Sequence, residues 1–343
     1  MEDKSIGLTI VMPAFNAARF IHETLQSISE QQFKNWRLIV IDDASTDNTW
    51  EIIQEWSNKD ARILGIQNPN NMKVAKTMNF GISLVDTPYF ARVDSDDVLL
   101  PHHFLRLVEH LDKNENIDIC GTQVITINNK GEFQRKWNYE TDPIWIKISS
   151  LFACPFLQSS VLMRTKVINA LGGYREEMEL IEDYELWIRA LQKFNAANLP
   201  EYTIKYRIHE GNMSENNKTK MMQLLQQMYK QNSRNIPIDV DNLELHAKIE
   251  IGEWSKVSHH LFEKIEAWKN KLIALNSKIE YTEQKIYRKV IKKYFANIYL
   301  KIATQNSGLT RGKALLFAFI KYPNSTFTII KRKIENKRKS NAS

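Results

Sequence analysis

The chain has 343 residues, of which 43% are hydrophobic and 25% charged, with 11 Gly and 9 Pro; this excludes collagen-like, low-complexity and wholly disordered classes. Its two cysteines are too few for a disulfide framework or a Cys-based zinc site, so a reduced, cytosolic setting is the expectation. The net charge of +7 is uneven: residues 1–210 hold 22 Lys and Arg against 29 Asp and Glu, and residues 211–343 hold 25 against 11.

The acidic front part cannot hold nucleic acid by bulk electrostatics, whereas the basic back part suits an anionic surface. The opening Met-Glu-Asp-Lys has no basic segment leading into an apolar run, so no signal peptide is expected. No apolar run approaches the roughly 20 residues that span a bilayer. Ala314–Ile320 is among the longest.

Leu8–Met12 is a short apolar run that stops at Pro13, as a buried parallel strand stops at its C-terminal edge. Over 17–31, Phe20, Ile21, Leu25 and Ile28 fall at helical spacing. Arg37–Ile41 reads as a second buried strand ending in Asp42-Asp43, and Ser45-Thr46-Asp47-Asn48 as the N-cap region of a helix over 49–56. A strand near 62–67, a loop at 68–71 and a helix over 73–84 lead to the strand Tyr89–Val93, which breaks at Asp94-Ser95-Asp96-Asp97. This alternation predicts an α/β domain with a mainly parallel sheet flanked by helices. Ligands of such sheets bind outside the carboxyl ends of the strands, so Pro13–Asn16, Asp42-Asp43 and Asp94–Asp97 are expected on one rim.

After residue 100 the pattern is mixed. A helix is expected over 102–112, strand over 117–127, a hairpin turn at Asn128-Asn129-Lys130-Gly131 and a helix over 141–151. Val161–Arg164 reads as extended, Gly172-Gly173 as a turn and 180–193 as a helix. From about 217 onward the chain reads as helical, which divides it into domains 1–215 and 216–343. Positions 286, 290, 291, 294, 295, 298, 299 and 302 form an apolar stripe flanked by lysines. The stripe packs on the rest of the protein, on a second copy, or on a membrane surface. Tyr294, Phe295, Tyr299, Phe317 and Phe319, with Lys331-Arg332-Lys333 and Lys337-Arg338-Lys339, favour peripheral membrane contact.

Three acids within Asp94–Asp97 repel one another unless a cation or solvent offsets them. Hard oxygen ligands suit Mg²⁺ or Mn²⁺, which keep waters and share ligation with a nucleotide diphosphate. The alternative is a solvated turn or helix cap. Asp42-Asp43 either caps the following helix or accepts a hydrogen bond from a base or ribose, and Phe15 either stacks on a base or packs in the core. Glu182-Asp183 opens a helix, as a dipole partner or as a general base for an acceptor hydroxyl.

Taken together, Ile10–Asn16, Val40–Asp47, Asn79–Ile82, Ala91–Asp97, Gly172–Tyr174, Glu182–Trp187 and Tyr206–His209 resemble the family 2 glycosyltransferases over about the first 215 residues. The resemblance implies a GT-A fold, which leaves the helical C-terminal extension unexplained. It also implies a metal-dependent, inverting sugar transferase with a nucleotide-sugar donor, UDP-linked by first expectation. The acceptor would be a glycan or lipid-linked sugar of a surface polysaccharide such as capsule or lipopolysaccharide, at the cytoplasmic face of the inner membrane.

By the same resemblance Pro13, Ala14, Phe15, Asn16, Asp43, Lys76, Asn79, Asp94 and Ser95 contact the donor. Asp96 and His209 hold Mn²⁺ or Mg²⁺, and Asp183 is the base. One departure is Lys73, where the family often has Gly; it adds a positive group near the phosphates. A sugar-nucleotide pyrophosphorylase, the rival enzyme class, would carry a Gly-rich basic loop after the first strand in place of Pro13-Ala14-Phe15-Asn16. A nucleic-acid-binding protein would intersperse aromatics with its basic residues as stacking platforms.

Overall fold

The computed structural model describes residues 7–210, 218–252, 254 and 259–340. They form two units: one takes the chain up to Ser150 and again from Cys154 to Glu215, the other takes Leu151–Ala153 and everything from Asn216.

The first unit opens with β1 (Leu8–Ala14), α1 (Ile21–Ser29), β2 (Trp36–Asp42), α2 (Thr49–Lys59), β3 (Ile63–Gln67), α3 (Val74–Ser83) and β4 (Tyr89–Arg92). It continues with β5 (Val98–Leu99), α4 (His103–Lys113), β6 (Ile119–Ile127), β7 (Phe133–Trp137), α5 (Pro143–Ser149), β8 (Leu162–Arg164), α6 (Thr165–Leu171), α7 (Glu182–Ala190) and β9 (Ala196–Arg207). All nine strands join one sheet in the order β3-β2-β1-β4-β8-β6-β9-β5, with β7 beside β6. The central strands are buried on both faces, which is why they read as unbroken apolar runs. Ile21, Leu25 and Ile28 of α1 enter one core with Leu8, Ile10, Met12, Leu38 and Val40. Ala75 and Met78 of α3 enter the core on the opposite face with Val11, Ile39 and Ile41.

The topology places the strand ends. β1 pairs in parallel with both β2 and β4, so Pro13–Asn16, Asp42-Asp43 and Asp94–Asp97 emerge on one rim. β8 runs antiparallel to β4 and to β6, and β9 runs parallel to β6, so the end of β9 before His209 reaches the same rim.

Two local expectations change. The first helix begins at Ile21, not at 17: the residues before it form a tight turn in which the Ala17 carbonyl accepts from Phe20 N at 2.9 Å and Ile21 N at 3.0 Å, while the N–H groups of Ala17 and Ala18 are capped by Thr49 Oγ1 at 2.8 Å and Asp47 Oδ2 at 3.1 Å. Helix α6 is an addition. Its seven residues are too short to show a period, and only its end is legible, where Gly172 caps it at φ 68.

The second unit contains α8 (Lys218–Asn232), α9 (Leu243–Ile251), α10 (His259–Ile279), α11 (Gln284–Gln305), α12 (Gly308–Lys321) and α13 (Pro323–Ser340). Here the membrane reading of the apolar stripe is corrected. On α11, Val290, Ile291, Phe295, Ile298, Tyr299 and Ile302 are buried inside the helical unit itself. Tyr299 stacks on Phe262 of α10, Phe317 packs against both, and Tyr294 stacks on Phe152. A periodic stripe marks a buried face without naming its cover, and α10 and α12 supply that cover. Among the described residues no helix is long and apolar enough to cross a membrane.

Candidate active site

The rim is built first from β1 and β2. Ala14 is buried, and its carbonyl accepts the Asp43 N–H at 2.7 Å, which locks the two strand ends together. Pro13 sits opposite Ile41 and is partly exposed. Phe15 lies outside the core with 49% of its surface exposed. Asn16 adopts φ 49, a conformation Asn tolerates better than most residues. Its Oδ1 accepts from Thr46 N at 2.9 Å, and its own N–H donates to Ser45 Oγ at 2.9 Å.

Asp43 is 4% exposed and accepts four hydrogen bonds. Asn68 Nδ2 donates at 2.7 Å, Met72 N at 2.8 Å, Lys73 N at 2.9 Å and Thr77 Oγ1 at 2.9 Å. This carboxylate therefore shapes the loop before α3. Lys73, at the head of that helix, has φ 71 and pairs through Nζ with Glu179 at 3.1 Å. Lys76 is exposed on the first turn of α3. Asn79 commits its side chain to Tyr174, donating to the carbonyl and accepting from the N–H, both at 2.8 Å. A Cβ at Gly173, which has φ 78, would fall 2.4 Å from Asn79 Oδ1, so the close approach needs glycine.

The acidic turn after β4 is held from several sides. Asp94 N donates to Ser159 Oγ at 3.0 Å, and Asp94 Oδ1 accepts from Arg92 Nε at 2.8 Å. The Ser95 carbonyl accepts from Thr24 Oγ1 at 3.0 Å. Arg207, at the end of β9, donates its backbone N–H to Asp97 Oδ1 at 3.1 Å and its Nε to the Asp96 carbonyl at 3.0 Å. Asp97 is fully buried; that burial, with the charges of Asp96 and Asp94 beside it, raises its carboxyl well above the usual range. Docking the end of β9 there brings His209 Nε2 to 2.9 Å from Asp96 Oδ2, with the imidazole packed 4.9 Å from the Phe20 ring.

Among the described residues no group of three or more His, Cys, Asp or Glu side chains is gathered for a metal ion. Asp96 and His209 nonetheless supply one carboxylate oxygen and one imidazole nitrogen at a single point. The carboxylate suits Mn²⁺ or Mg²⁺, which retain waters and complete their shell with substrate phosphates, and the imidazole beside it favours the transition metal Mn²⁺ over Mg²⁺.

Asp183 lies in the first turn of α7, partly exposed, with Oδ1 accepting the Tyr184 N–H at 2.7 Å. Desolvation first, and the charge of Glu182 second, push its carboxyl up to about 7. Glu182 is buried and held by Arg92 Nη1 at 3.2 Å and by Leu180 N at 3.1 Å, where Leu180 has φ 89. Arg92 thereby joins the acidic turn to the head of α7. Deeper in that helix Glu185 is fully buried between Arg175 at 3.1 Å and Arg189 at 2.8 Å.

Sequence reasoning passed over Arg92, Arg207 and Ser159. The available signal was an arginine two residues before a candidate site residue at the ends of two strands, Arg92 before Asp94 and Arg207 before His209.

The profile of the family described as Glycosyl transferase family 2 matches residues 9–168. An uncharacterized glycosyltransferase of Haemophilus influenzae is 32% identical over 216 residues, covering 60% of this chain and 67% of its own length. An Escherichia coli protein, UDP-Glc:alpha-D-GlcNAc-diphosphoundecaprenol beta-1,3-glucosyltransferase WfaP, is 31% identical over 218 residues, covering 61% of this chain and 80% of its own. Among solved structures, residues 1–349 of S. aureus TarS with UDP-GlcNAc superpose at TM-score 0.59 and 15% identity, over 95% of this chain and 92% of that one. The longer TarS chain is covered to 54%. Mannosyltransferase PcManGT of Pyrobaculum calidifontis, solved with GDP-Man and Mn²⁺, superposes at TM-score 0.52 and 14% identity, over 96% and 86%. The fold is of the GT-A type, a mixed α/β sheet flanked by helices with a helical C-terminal region. The chain belongs to glycosyltransferase family 2 and is a glycosyltransferase.

Proposed function

We propose that the enzyme moves a sugar from a nucleoside-diphosphate donor, UDP-linked, onto a glycan or lipid-linked acceptor of surface polysaccharide synthesis, with inversion at the anomeric carbon. The observation that carries this reading is the gathering of Asp43, the Asp96–His209 pair and the Arg92–Glu182–Asp183 group around one rim of the sheet. The E. coli relative bears the name of a UDP-glucose transferase with a lipid-linked acceptor, and TarS is solved with a UDP-sugar, which supports the donor and acceptor classes.

In this reading Phe15, exposed beside β1, stacks on the base, and Asp43 accepts a base N–H on Oδ2, the oxygen that takes only the Lys73 N–H from its loop. Asp94 and Ser95 border the ribose and diphosphate, with Pro13, Ala14 and Asn16 forming the floor. Lys76 faces the phosphates, and Asn79 serves by fixing the Gly173-Tyr174 loop. Asp96 and His209 hold Mn²⁺ or Mg²⁺, which when bound supplies charge neutralisation for the leaving diphosphate.

Asp183 takes the proton of the acceptor hydroxyl as its oxygen attacks the anomeric carbon and the diphosphate departs. An acid with its pKa near 7 is ionised over much of the neutral range yet basic enough for the transfer. An α-linked donor then yields a β-linked product. A lipid-linked acceptor brings the enzyme to the cytoplasmic membrane surface, and the basic region 216–343 is the part suited to meet it.

The test is thermal stabilisation by UDP, GDP and their sugars, each with and without Mn²⁺. UDP compounds are expected to stabilise most, and Asp96→Ala and His209→Ala to remove the Mn²⁺-dependent part. Full Mn²⁺-dependent stabilisation in Asp96→Ala would overturn the metal assignment.

A further inference from the structure

Burying the stripe of α11 leaves the basic region with a second apolar surface that no described residue of its own unit covers. Along α12, Leu309 is 94% exposed, Leu316 55%, Phe319 38% and Ile320 68%. Their spacing of seven, three and one residues, with Gly312 between the first two, puts them on one face of the helix, while Ala314 and Ala318 on the opposite face are buried. Phe327 of α13, 63% exposed, extends the patch, its ring meeting that of Phe319 edge-on at 5.6 Å. Side chains this large, contiguous and solvent-facing are rare on a surface that meets only water.

The charge around the patch selects its cover. Residues 308–340 contain nine Lys and Arg and a single acid, Glu335. Among the described side chains, Lys313 and Lys321 lie over the Phe317 ring at 5.7 and 4.9 Å, and exposed Lys331 follows Phe327 by one helical turn. A second copy docked through the same face would bring two such cationic segments together, with almost no carboxylate to neutralise them. A nucleic acid would match the charge but gain little from an aliphatic centre of Leu and Ile. An anionic bilayer matches both: the apolar face enters the acyl boundary while the lysines meet headgroup phosphates.

We propose that α12 and the start of α13 form an interfacial lipid-binding face, with Leu309, Leu316, Phe319, Ile320 and Phe327 inserted and the surrounding Lys and Arg on the anionic headgroups. This deepens the reading of a lipid-linked acceptor: the face would hold the enzyme on the membrane where such an acceptor resides.

The experiment uses the full chain in co-sedimentation with vesicles of phosphatidylglycerol and phosphatidylethanolamine, with phosphatidylcholine vesicles as control, at low and high salt. The wild type is expected to pellet with the anionic vesicles and to lose most of that binding on phosphatidylcholine or at high salt. The double variant Leu316→Glu, Ile320→Glu changes only exposed positions and is expected to bind anionic vesicles about tenfold more weakly or less. UDP stabilisation in the same samples reports separately on the donor site and should be unchanged. Equal vesicle binding by wild type and variant would overturn the proposal, as would no pelleting of the wild type at low salt. A wild-type dimer in solution that the double variant dissolves would assign the face to a second copy instead.

Discussion

Arg92 and Glu182 form an ion pair at 3.2 Å with both side chains 7% exposed, although they lie 90 residues apart in the chain. One end of the pair follows from β4 and the other from the head of α7, so the acidic turn and the candidate base are positioned by a single guanidinium. Arg92 also holds Asp94 at 2.8 Å. Replacing it strands two acids in a poorly solvated site. Arg92→Met should cost about 3–5 kcal/mol, read as a lowered urea midpoint, because an uncompensated buried charge is far more costly than a missing pair. Glu182→Gln keeps an oxygen for Leu180 N and should be milder.

The Glu182 substitution has a second consequence. Its charge is the second-largest cause of the high Asp183 pKa. Removing that charge should move the acid limb of the rate profile to lower pH, a shift that a merely structural role for Glu182 would not produce.

Asp183→Asn should lower kcat by about 10²–10⁴-fold with UDP affinity unchanged. The same variant tests the pKa through stability. In the folded protein the Asp183 carboxyl is pushed up to about 7, against the ordinary aspartate value of 3.8. Between these values the folded state holds a proton that the unfolded state has released. The stabilising contribution is thus complete below the lower value and lost as the pH rises through the upper one. Wild type and Asp183→Asn should therefore unfold alike in acid, and the variant should be the more stable above pH 7. Thermal unfolding on both sides of neutrality checks this, and parallel curves would contradict the raised pKa.

The strand ends on the rim were legible because a doubly buried parallel strand is an apolar run, and the first polar residues after it mark the edge. The acids at 42–43 and 94–97 were visible for that reason. What holds them was not visible. Arg207 reaches Asp97 across 110 residues and His209 reaches Asp96 across 113, and composition carries no measure of such separations. The same blindness explains α11, whose stripe was plain while the helices that cover it were not. Lys73 was legible in the opposite sense, as a lysine where the resembling family often has Gly.

Gly173→Ala tests the loop that Asn79 grips. The added Cβ would lie 2.4 Å from Asn79 Oδ1 at a φ of 78, so both sterics and backbone oppose it. A loss of about 1–3 kcal/mol is expected in urea unfolding. Asn79→Ala opens the space that Gly173→Ala fills. The double variant should therefore lose less than the sum of the two single changes, and strict additivity would mean the two residues do not act on one another.

Lys73 has φ 71 and ψ 158, a region that belongs essentially to glycine. Its N–H donates to Asp43 Oδ2 at 2.9 Å, a bond any residue there would keep. Its ammonium pairs with Glu179 at 3.1 Å, but the lysine is 64% exposed, and such a pair contributes about 0–1 kcal/mol. The backbone cost is about 1–3 kcal/mol. The strain exceeds the pair, so Lys73→Gly should raise stability by about 1 kcal/mol, read as a higher urea midpoint. Lys73→Ala keeps the strain, loses the pair and should fall slightly below the wild type. A glycine variant no more stable than the alanine variant would show that the backbone there is not strained. If UDP affinity drops in both variants while stability moves in opposite directions, the lysine charge serves the diphosphate, and binding explains why the chain carries a strained residue beside Asp43.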